Sequence, residues 1–366
     1  MKKNTRKITI IVFLGFIFSF TILNIFSKDQ QFSENENRYL ATRPVISSKL
    51  LLSGKFDETF DNYINDQFIF RDQWIMIKAL FQKFTLHISN NNVYFADDHK
   101  LISQTLSYDK KQIDKNIEYI NEFVNRYPNT NMVLIPQASA IEKDSLPFLS
   151  YNIDEIKLIN DIYDKLNTNN VDVVSYLIDT NDSYFKSDHH YNEKGAYLTY
   201  TAICDQVLDE EPLIFNYELK SEEFKGTLNA KSGLYYYPAD CIYEIISDKQ
   251  WNVQIEYDND GIIHDSIYNE DNLDIKDKYT YYLDGNHSIY HIKTDNNTKR
   301  NAVIIKDSFA HILLPYLLYE YDNITMVDLR YYHQPLNDLI NDNDDIYLIY
   351  SIENFISDNN LVFLKE

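Results

Sequence analysis

Glycine is scarce: the 366 residues hold seven, and the nearest two, Gly226 and Gly233, stand seven positions apart. The phosphate-binding loops G-x-G-x-x-G and G-x-x-x-x-G-K-[ST] need closer glycines, so neither occurs. The G-x-S-x-G nucleophile elbow is excluded on the same ground. Cysteine is scarcer still, with only Cys204 and Cys241, which excludes a four-cysteine zinc site and a disulfide framework. One bridge between them and two separate buried thiols both remain open. Cations are the third shortage: 34 Lys and Arg stand against 56 Asp and Glu, a formal charge of −22. A phosphate backbone finds no basic footprint here, and no nucleic acid is expected as a partner.

What is present is core-forming material, with 44% hydrophobic side chains, 31 Tyr and 21 Phe. Asn and Ile are also frequent, a bias that reflects an AT-rich genome more than chemistry. At about 150 residues per domain, the length predicts two domains or one large domain with an insertion.

Lys2, Lys3, Arg6 and Lys7 precede an apolar run from Ile8 to Phe26. The run is long enough to cross a bilayer, and Asn24–Lys28 offers no small-x-small cleavage site, so residues 1–27 read as an uncleaved signal anchor. The positive-inside rule then leaves the N-terminus in the cytoplasm and residues 28–366 outside, with membrane contact through residues 8–26. Without those four cations the exported part carries −26. Such a domain does not seek an anionic lipid surface and suits a neutral, zwitterionic or cationic substrate.

Residues 28–90 read as a polar stalk ending at Thr42-Arg43-Pro44, followed by amphipathic helices. Phe56, Phe60, Tyr63, Ile64 and Phe68, then Trp74, Ile77, Leu80, Phe81 and Phe84, recur at three- and four-residue steps. That periodicity predicts helices laid against something larger, with the aromatic stripes as core and not ligand sites. From 91 to 366 the chain alternates strands and helices. Met132–Ile135, Val171–Val174, Ala302–Ile305, Ile324–Val327 and Ile346–Tyr350 read as strands. Ile153–Leu166, Lys194–Leu208 and Ala310–Tyr319 read as helices. The rhythm predicts an α/β domain with a mostly parallel sheet flanked by helices. Between about 211 and 300 short alternating segments, among them Cys241–Ile246, Trp251–Ile255 and Ser288–Ile292, predict an antiparallel β insertion.

Two constellations carry chemistry. In Ala302-Val303-Ile304-Ile305-Lys306-Asp307-Ser308-Phe309-Ala310 an apolar strand ends, polar residues turn the chain and a helix begins. Ser308 therefore falls at the carboxyl edge of the sheet, where open α/β sheets bind ligands, beside amides that suit an oxyanion. The bland alternative is that Asp307 or Ser308 is only a helix cap. In Ser187-Asp188-His189-His190-Tyr191-Asn192-Glu193-Lys194-Gly195 one loop offers a carboxylate and an imidazole two apart. A serine hydroxyl needs such a base, and the base needs such an orienting carboxylate. A surface histidine pair and a metal site using His189 and His190 are the alternatives. The His287/His291 pair lies on a strand-like segment and does not make a helical zinc pair.

The stretch Ser187–Gly195 resembles the D-H-H-W signature of a family of exported bacterial proteins, with Tyr191 in place of the tryptophan. Asp307-Ser308-Phe309 resembles the Gly-Asp-Ser block of SGNH hydrolases, with Lys306 in the glycine position. The DHHW family is similar to the SGNH-hydrolase-like domains of alginate O-acetylation proteins, whose Asp-x-His element precedes the serine in a circularly permuted order, as it does here. Asn37–Leu40 with Arg43-Pro44, Asp66–Phe68 with Arg71-Asp72, Gly226–Leu228 with Lys231–Gly233, Gly285–His287 and Asp328–Tyr332 look like further landmarks.

The resemblance implies Ser308 as nucleophile, His190 as general base and then acid, and Asp188 as its orienter, with His189 a neighbour. It implies the Ser308 amide as an oxyanion donor and leaves Asn286 and Gly285 as candidate partners. Arg330 is a candidate for substrate oxygens or a structural ion pair, and Tyr191 for stacking on a sugar ring. The implied activity is that of a serine O-acetyltransferase or acetylesterase acting on a cell-surface or cell-wall glycan. Its acyl donor would be a membrane-bound O-acyltransferase, and it would need no metal and no organic cofactor. A non-catalytic glycan-binding scaffold, favoured by Tyr191, Lys306 and the many surface-capable tyrosines, is the rival. The triad requires His190 Nε2 within hydrogen-bond reach of Ser308 Oγ, with Asp188 on the other imidazole nitrogen.

Overall fold

The computed structural model describes residues 2–178, 180–249 and 252–365. The chain divides into two compact units, Met1–Leu86 with Gly233–Tyr235 and His87–Ser232 with Tyr236–Glu366.

In the first unit, helix α1 (Lys2–Phe26) contains a stretch, Thr5–Phe26, of 22 residues that is long and apolar enough to cross a membrane. Helices α2 (Phe56–Asp66) and α3 (Arg71–Phe84) follow. A small hairpin pairs Phe32–Ser33 with Arg38–Tyr39 and is bracketed to these helices by charge. Arg38 donates to both Asp66 oxygens at 2.6 and 2.9 Å, and Arg71 donates to Glu36 at 2.8 and 2.9 Å. Gln67 Nε2 donates to the carbonyls of Gln30 and Ala41, both at 2.9 Å. Partly solvated pairs of this kind contribute about 0–1 kcal/mol each, so their effect is to fix geometry. The landmark residues around positions 38, 66 and 71 thus share one structural reason. The apolar stripes of α2 and α3 correct an expectation: Phe60, Ile64, Trp74, Ile77, Phe81 and Phe84 are exposed and not core. Periodicity reports that a face is apolar, but not that protein covers it.

The second unit is built on one sheet of eight strands: β1 (Thr130–Ile135), β2 (Asn169–Val171), β3 (Val253–Tyr257), β4 (Ile263–His264), β5 (Ile289–Thr294), β6 (Asn301–Lys306), β7 (Asn323–Val327) and β8 (Asp345–Ser351). Their order is β4-β3-β5-β7-β6-β8-β1-β2. The run from β7 to β2 is parallel, while β4, β3 and β5 extend it antiparallel beyond β7. Alternate residues enter two cores. Ala302 and Ile304 of β6, with Tyr347 and Ile349 of β8, face one. Val303, Ile305, Ile346 and Leu348 face the other. Helices α6 (Glu193–Ile203) and α7 (Ala310–Leu317) cover the first face through Tyr200, Ile203 and Ile312. Helices α4 (Lys110–Arg126), α5 (Glu155–Tyr163) and α8 (Ile352–Ser357) cover the second through Ile117, Phe123, Ile159 and Phe355. A sheet buried on both faces is why its central strands read as continuous apolar runs.

Segment 211–300 is therefore only partly a separate excursion. Asn216–Phe224 and Asp240–Ile246 form their own antiparallel pair, whereas β3, β4 and β5 join the central sheet. Trp251, placed at the start of a predicted strand, lies outside the described residues. The strand expected at Val171–Val174 stops at Val171, and Val174–Leu177 is a short helix. The helix expected to reach Leu208 ends at Ile203 and passes into a π-helical turn. Cys204 and Cys241 are both free thiols.

Candidate active site

The turn after β6 sits at the carboxyl edge of the parallel strands. Neither Asp307 nor Ser308 caps α7, because Phe309 occupies the cap position without a side-chain bond. The buried Asp307 carboxylate instead accepts from Phe309 N at 2.9 Å, from Ser351 N and Oγ at 2.8 Å, and from Asn354 Nδ2 at 2.8 Å. It ties the turn to the end of β8 and the first turn of α8, leaving Ser308 half-buried. Among the described residues the Ser308 amide donates to no protein acceptor.

The histidine loop reaches the same edge before α6. A Tyr184–Tyr191 bridge closes it, and Asn192 Oδ1 caps α6 through the amides of Lys194 and Gly195. The Asp240 carboxylate anchors its middle, accepting from Lys186 N at 2.8 Å and from Ser187 N and Oγ at 2.8 and 2.5 Å. Asp188 Oδ2 accepts from Thr227 N at 2.7 Å and Thr227 Oγ1 at 3.0 Å. This approach needs Gly226, since a Cβ there would lie 2.3 Å from Asp188 Cβ.

Asp188, His190 and Ser308 consequently meet. Asp188 Oδ1 lies 2.6 Å from His190 Nδ1 and 3.0 Å from the His190 amide. His190 Nε2 lies 2.8 Å from Ser308 Oγ. The Tyr279 ring stacks on the imidazole at 3.9 Å and 9°, and its hydroxyl donates to Ser308 O at 2.9 Å. A carboxylate that accepts from Nδ1 fixes the tautomer in which Nε2 can accept the hydroxyl proton. Burial opposes the Asp188 charge, but His189 and His190 outweigh it and hold the carboxyl well below the usual range. Burial, with His189 adding to it and Asp188 opposing, pushes His190 down to about 4, so this imidazole is neutral at pH 7 and free to accept a proton, though as a weaker base than an ordinary histidine.

His189 Nδ1 lies 2.8 Å from Thr227 Oγ1 and 3.4 Å from Asp188 Oδ1, beside the triad line and not in it. Among the described residues, Asp188, His189 and His190 form the one group whose ligand atoms could share a metal ion, all within 4.8 Å. A metal there would have to break the 2.6 Å Asp188–His190 bond or take Nε2 away from Ser308. The donor set fits proton transfer better than ligation. His287 and His291 do not converge: His287 Nδ1 faces Asp258 at 2.6 Å, and His291 Nε2 faces Asn259 at 2.9 Å.

Tyr191 is fully buried and donates to Phe309 O at 2.8 Å. It braces the turn and has no face for a sugar, which corrects that expectation. Arg330 is spent first on Asp328, at 2.9 and 2.6 Å, and donates to Asn286 Oδ1 at 3.2 Å. The Gly285 amide donates to Tyr282 O and is not available to an oxyanion in this state. Lys306, fully buried, lies 2.6 Å from His311 Nε2 and 3.4 Å from Asp328 Oδ2. Beside Asp307 a cavity of about 180 Å³ is lined by Lys306, Asp328, Arg330, Tyr350 and Asn354. Sequence reasoning missed Asp240, Tyr279 and the bracing role of Asp307. Only Gly226-Thr227 carried a signal, as a landmark without a role.

No protein-family model matches the sequence, and no curated protein matches it. Solved structures do. A DHHW family protein from Eubacterium siraeum superposes with a TM-score of 0.65 at 24% identity, over 76% of this chain and 96% of that one. Bacillus cereus PatB1 with a sulfonyl adduct gives 0.61 at 20% identity, over 74% and 97%. The O-acetyltransferase domain of Pseudomonas putida AlgJ gives 0.48 at 12% identity, over 73% and 93%. At 24 and 20% identity the DHHW protein and PatB1 share a fold with this chain. The resemblance read from Ser187–Gly195 and Asp307–Phe309 therefore has a structural counterpart.

Proposed function

We propose that this chain is a membrane-anchored, extracytoplasmic serine acyl-ester enzyme that transfers an acetyl group to a hydroxyl of a cell-surface or cell-wall glycan. When water is the acceptor the same chemistry is acetyl-ester hydrolysis. The observation that carries the reading is the unbroken Asp188–His190–Ser308 line, with contacts of 2.6 and 2.8 Å.

Ser308 Oγ attacks the donor carbonyl while His190 Nε2 takes its proton. The tetrahedral intermediate collapses as His190 returns that proton to the leaving group, and an acetyl ester remains on Ser308. A glycan hydroxyl then gives its proton to His190 and attacks the ester, and the proton passes back to Ser308 Oγ. Asp188 orients the imidazole and stabilises its cation. The Ser308 amide is one oxyanion donor; Asn286 Nδ2 is the proposed second, its carbonyl being held by Arg330. The exposed edge of Arg330 is available to substrate oxygens. The acyl donor is proposed to be a membrane-bound O-acyltransferase, to whose membrane α1 would tether the chain.

The glycan-binding scaffold loses one support, because Tyr191, Tyr200, Tyr281, Tyr282, Tyr290 and Tyr347 are fully buried. These tyrosines serve the core, while Tyr39, Tyr151 and Tyr331 are exposed. The test is reaction of the full chain in detergent with a sulfonyl electrophile, the chemistry seen on PatB1, followed by peptide mapping and assay of acetyl transfer to an oligosaccharide. Modification of Ser308 with loss of transfer supports the reading, and transfer that survives complete modification of Ser308 refutes it.

A further inference from the structure

Helix α3 presents an apolar stripe to the outside of its unit. Trp74, Ile77, Phe81 and Phe84 follow one another at steps of three and four, which is one helix face, and Phe70, in the left-handed region at φ 59° just before the helix, precedes them. From Phe70 to Phe84 their exposures are 55, 39, 50, 64 and 85%. Five large exposed apolar side chains, four of them in one helical row, mark an interaction surface.

The position of that row relative to α1 identifies the occupant. The Trp74 ring lies 5.8 Å from Phe20 of α1, Phe68 stacks on the same Phe20 ring at 6.1 Å and 7°, and Ile69 N donates to Asn24 Oδ1 at 2.8 Å. Phe20 and Asn24 both belong to the apolar stretch Thr5–Phe26. At about 1.5 Å per residue, Asn24 is about 3 Å and Phe20 about 9 Å short of the end of that helix. On the membrane-anchor reading of α1, these contacts put the elbow between α2 and α3 at the level of the hydrocarbon boundary and Trp74 within it. Lys78 lies beside the stripe, where a lysine stem can follow the apolar surface while its ammonium reaches the headgroups. The stripe itself carries no charge, so its contact is with acyl chains and not with headgroups.

Resting on the membrane-anchor reading of α1, we propose that α3 is an interfacial membrane helix. Its stripe of Phe70, Trp74, Ile77, Phe81 and Phe84 is buried in the acyl region of the leaflet from which α1 emerges.

The chain has two tryptophans, which makes the test direct. The full chain with Trp251→Phe is reconstituted in phosphatidylcholine vesicles with or without acyl-brominated phosphatidylcholine. Flotation with the vesicles, at least a twofold loss of Trp74 emission in brominated lipid and little quenching by aqueous iodide are expected. Trp74→Phe in the same vesicles should abolish the lipid-quenched component, which provides the readout if Trp251→Phe does not fold. Flotation with emission quenched by iodide but not by bromine overturns the proposal while leaving the anchor intact. Protection from both quenchers overturns it in favour of a protein occupant. Failure to float overturns the anchor reading and the proposal with it.

Discussion

Two buried imidazoles flank the Ser308 turn, and both are parallel to the Tyr279 ring, His190 at 9° and His311 at 16°. Their surroundings differ in sign. His190 has a carboxylate on Nδ1 and a hydroxyl on Nε2, whereas His311 has the Lys306 ammonium 2.6 Å from Nε2. Burial lowers both. For His190 Asp188 opposes that fall, while for His311 Lys306 deepens it, well below the ordinary histidine range. One imidazole can take a proton and is aimed at an oxygen that has one to give. The other serves as an acceptor that helps to satisfy a buried cation. A histidine beside a charge is thus no catalytic sign by itself; the sign of that charge and the target of the second nitrogen decide.

The largest effect is expected at Ser308, the proposed nucleophile. Ser308→Ala should lower acetyl-ester turnover by on the order of 10⁶-fold, read by initial rates on a chromogenic acetyl ester. Asp188→Asn should cost roughly 10⁴-fold, because the tautomer changes while the geometry stays. A variant that retains a tenth of the activity would remove Asp188 from the line. On the other side of the turn, Lys306→Met should destabilise the protein by about 3 kcal/mol, since Asp328 is left buried with one partner fewer. Activity per folded molecule should stay within about tenfold. Thermal unfolding and active-site titration separate those effects, and a collapse of activity without loss of stability would show that the two clusters are not distinct. Gly226→Ala drives a Cβ into Asp188 and should cost about 100-fold in kcat, with little change in KM. The smallest effect is that of pH. His190 must be neutral to act, and its pKa is about 4, so kcat/KM should hold from neutrality downward and fall roughly tenfold per unit below that value. A fall centred near the ordinary histidine value would contradict the depressed base.

Much of this site was legible because its chemistry is local in sequence. Asp188 and His190 stand two apart in one loop, and Ser308 follows an apolar strand whose end must lie at a sheet edge. What supports them was not legible. Asp240 reaches Ser187 across 53 positions, Thr227 reaches Asp188 across 39, and Tyr279 reaches Ser308 across 29. None of these pairings leaves a periodic trace. Tyr191 was misread because a tyrosine beside a candidate base looks like a ring platform; only burial shows its hydroxyl holding Phe309 O. The central parallel strands β1, β6, β7 and β8 were recoverable from their continuous apolar runs, whereas the edge strand β2, Asn-Asn-Val, has no such run. The antiparallel strands β3 to β5 alternate in the same way whether they pair with each other or join a sheet edge, so pattern alone could not place them.

The most direct measurement is the intact mass of the full chain and of its Ser308→Ala variant after brief mixing with an activated acetyl ester, with peptide mapping of any adduct. One added acetyl group is expected on Ser308, absent from the variant and lost on addition of an oligosaccharide acceptor, which becomes acetylated. Equal labelling of both proteins, or none in either while acetyl transfer proceeds, would contradict a serine acyl-enzyme.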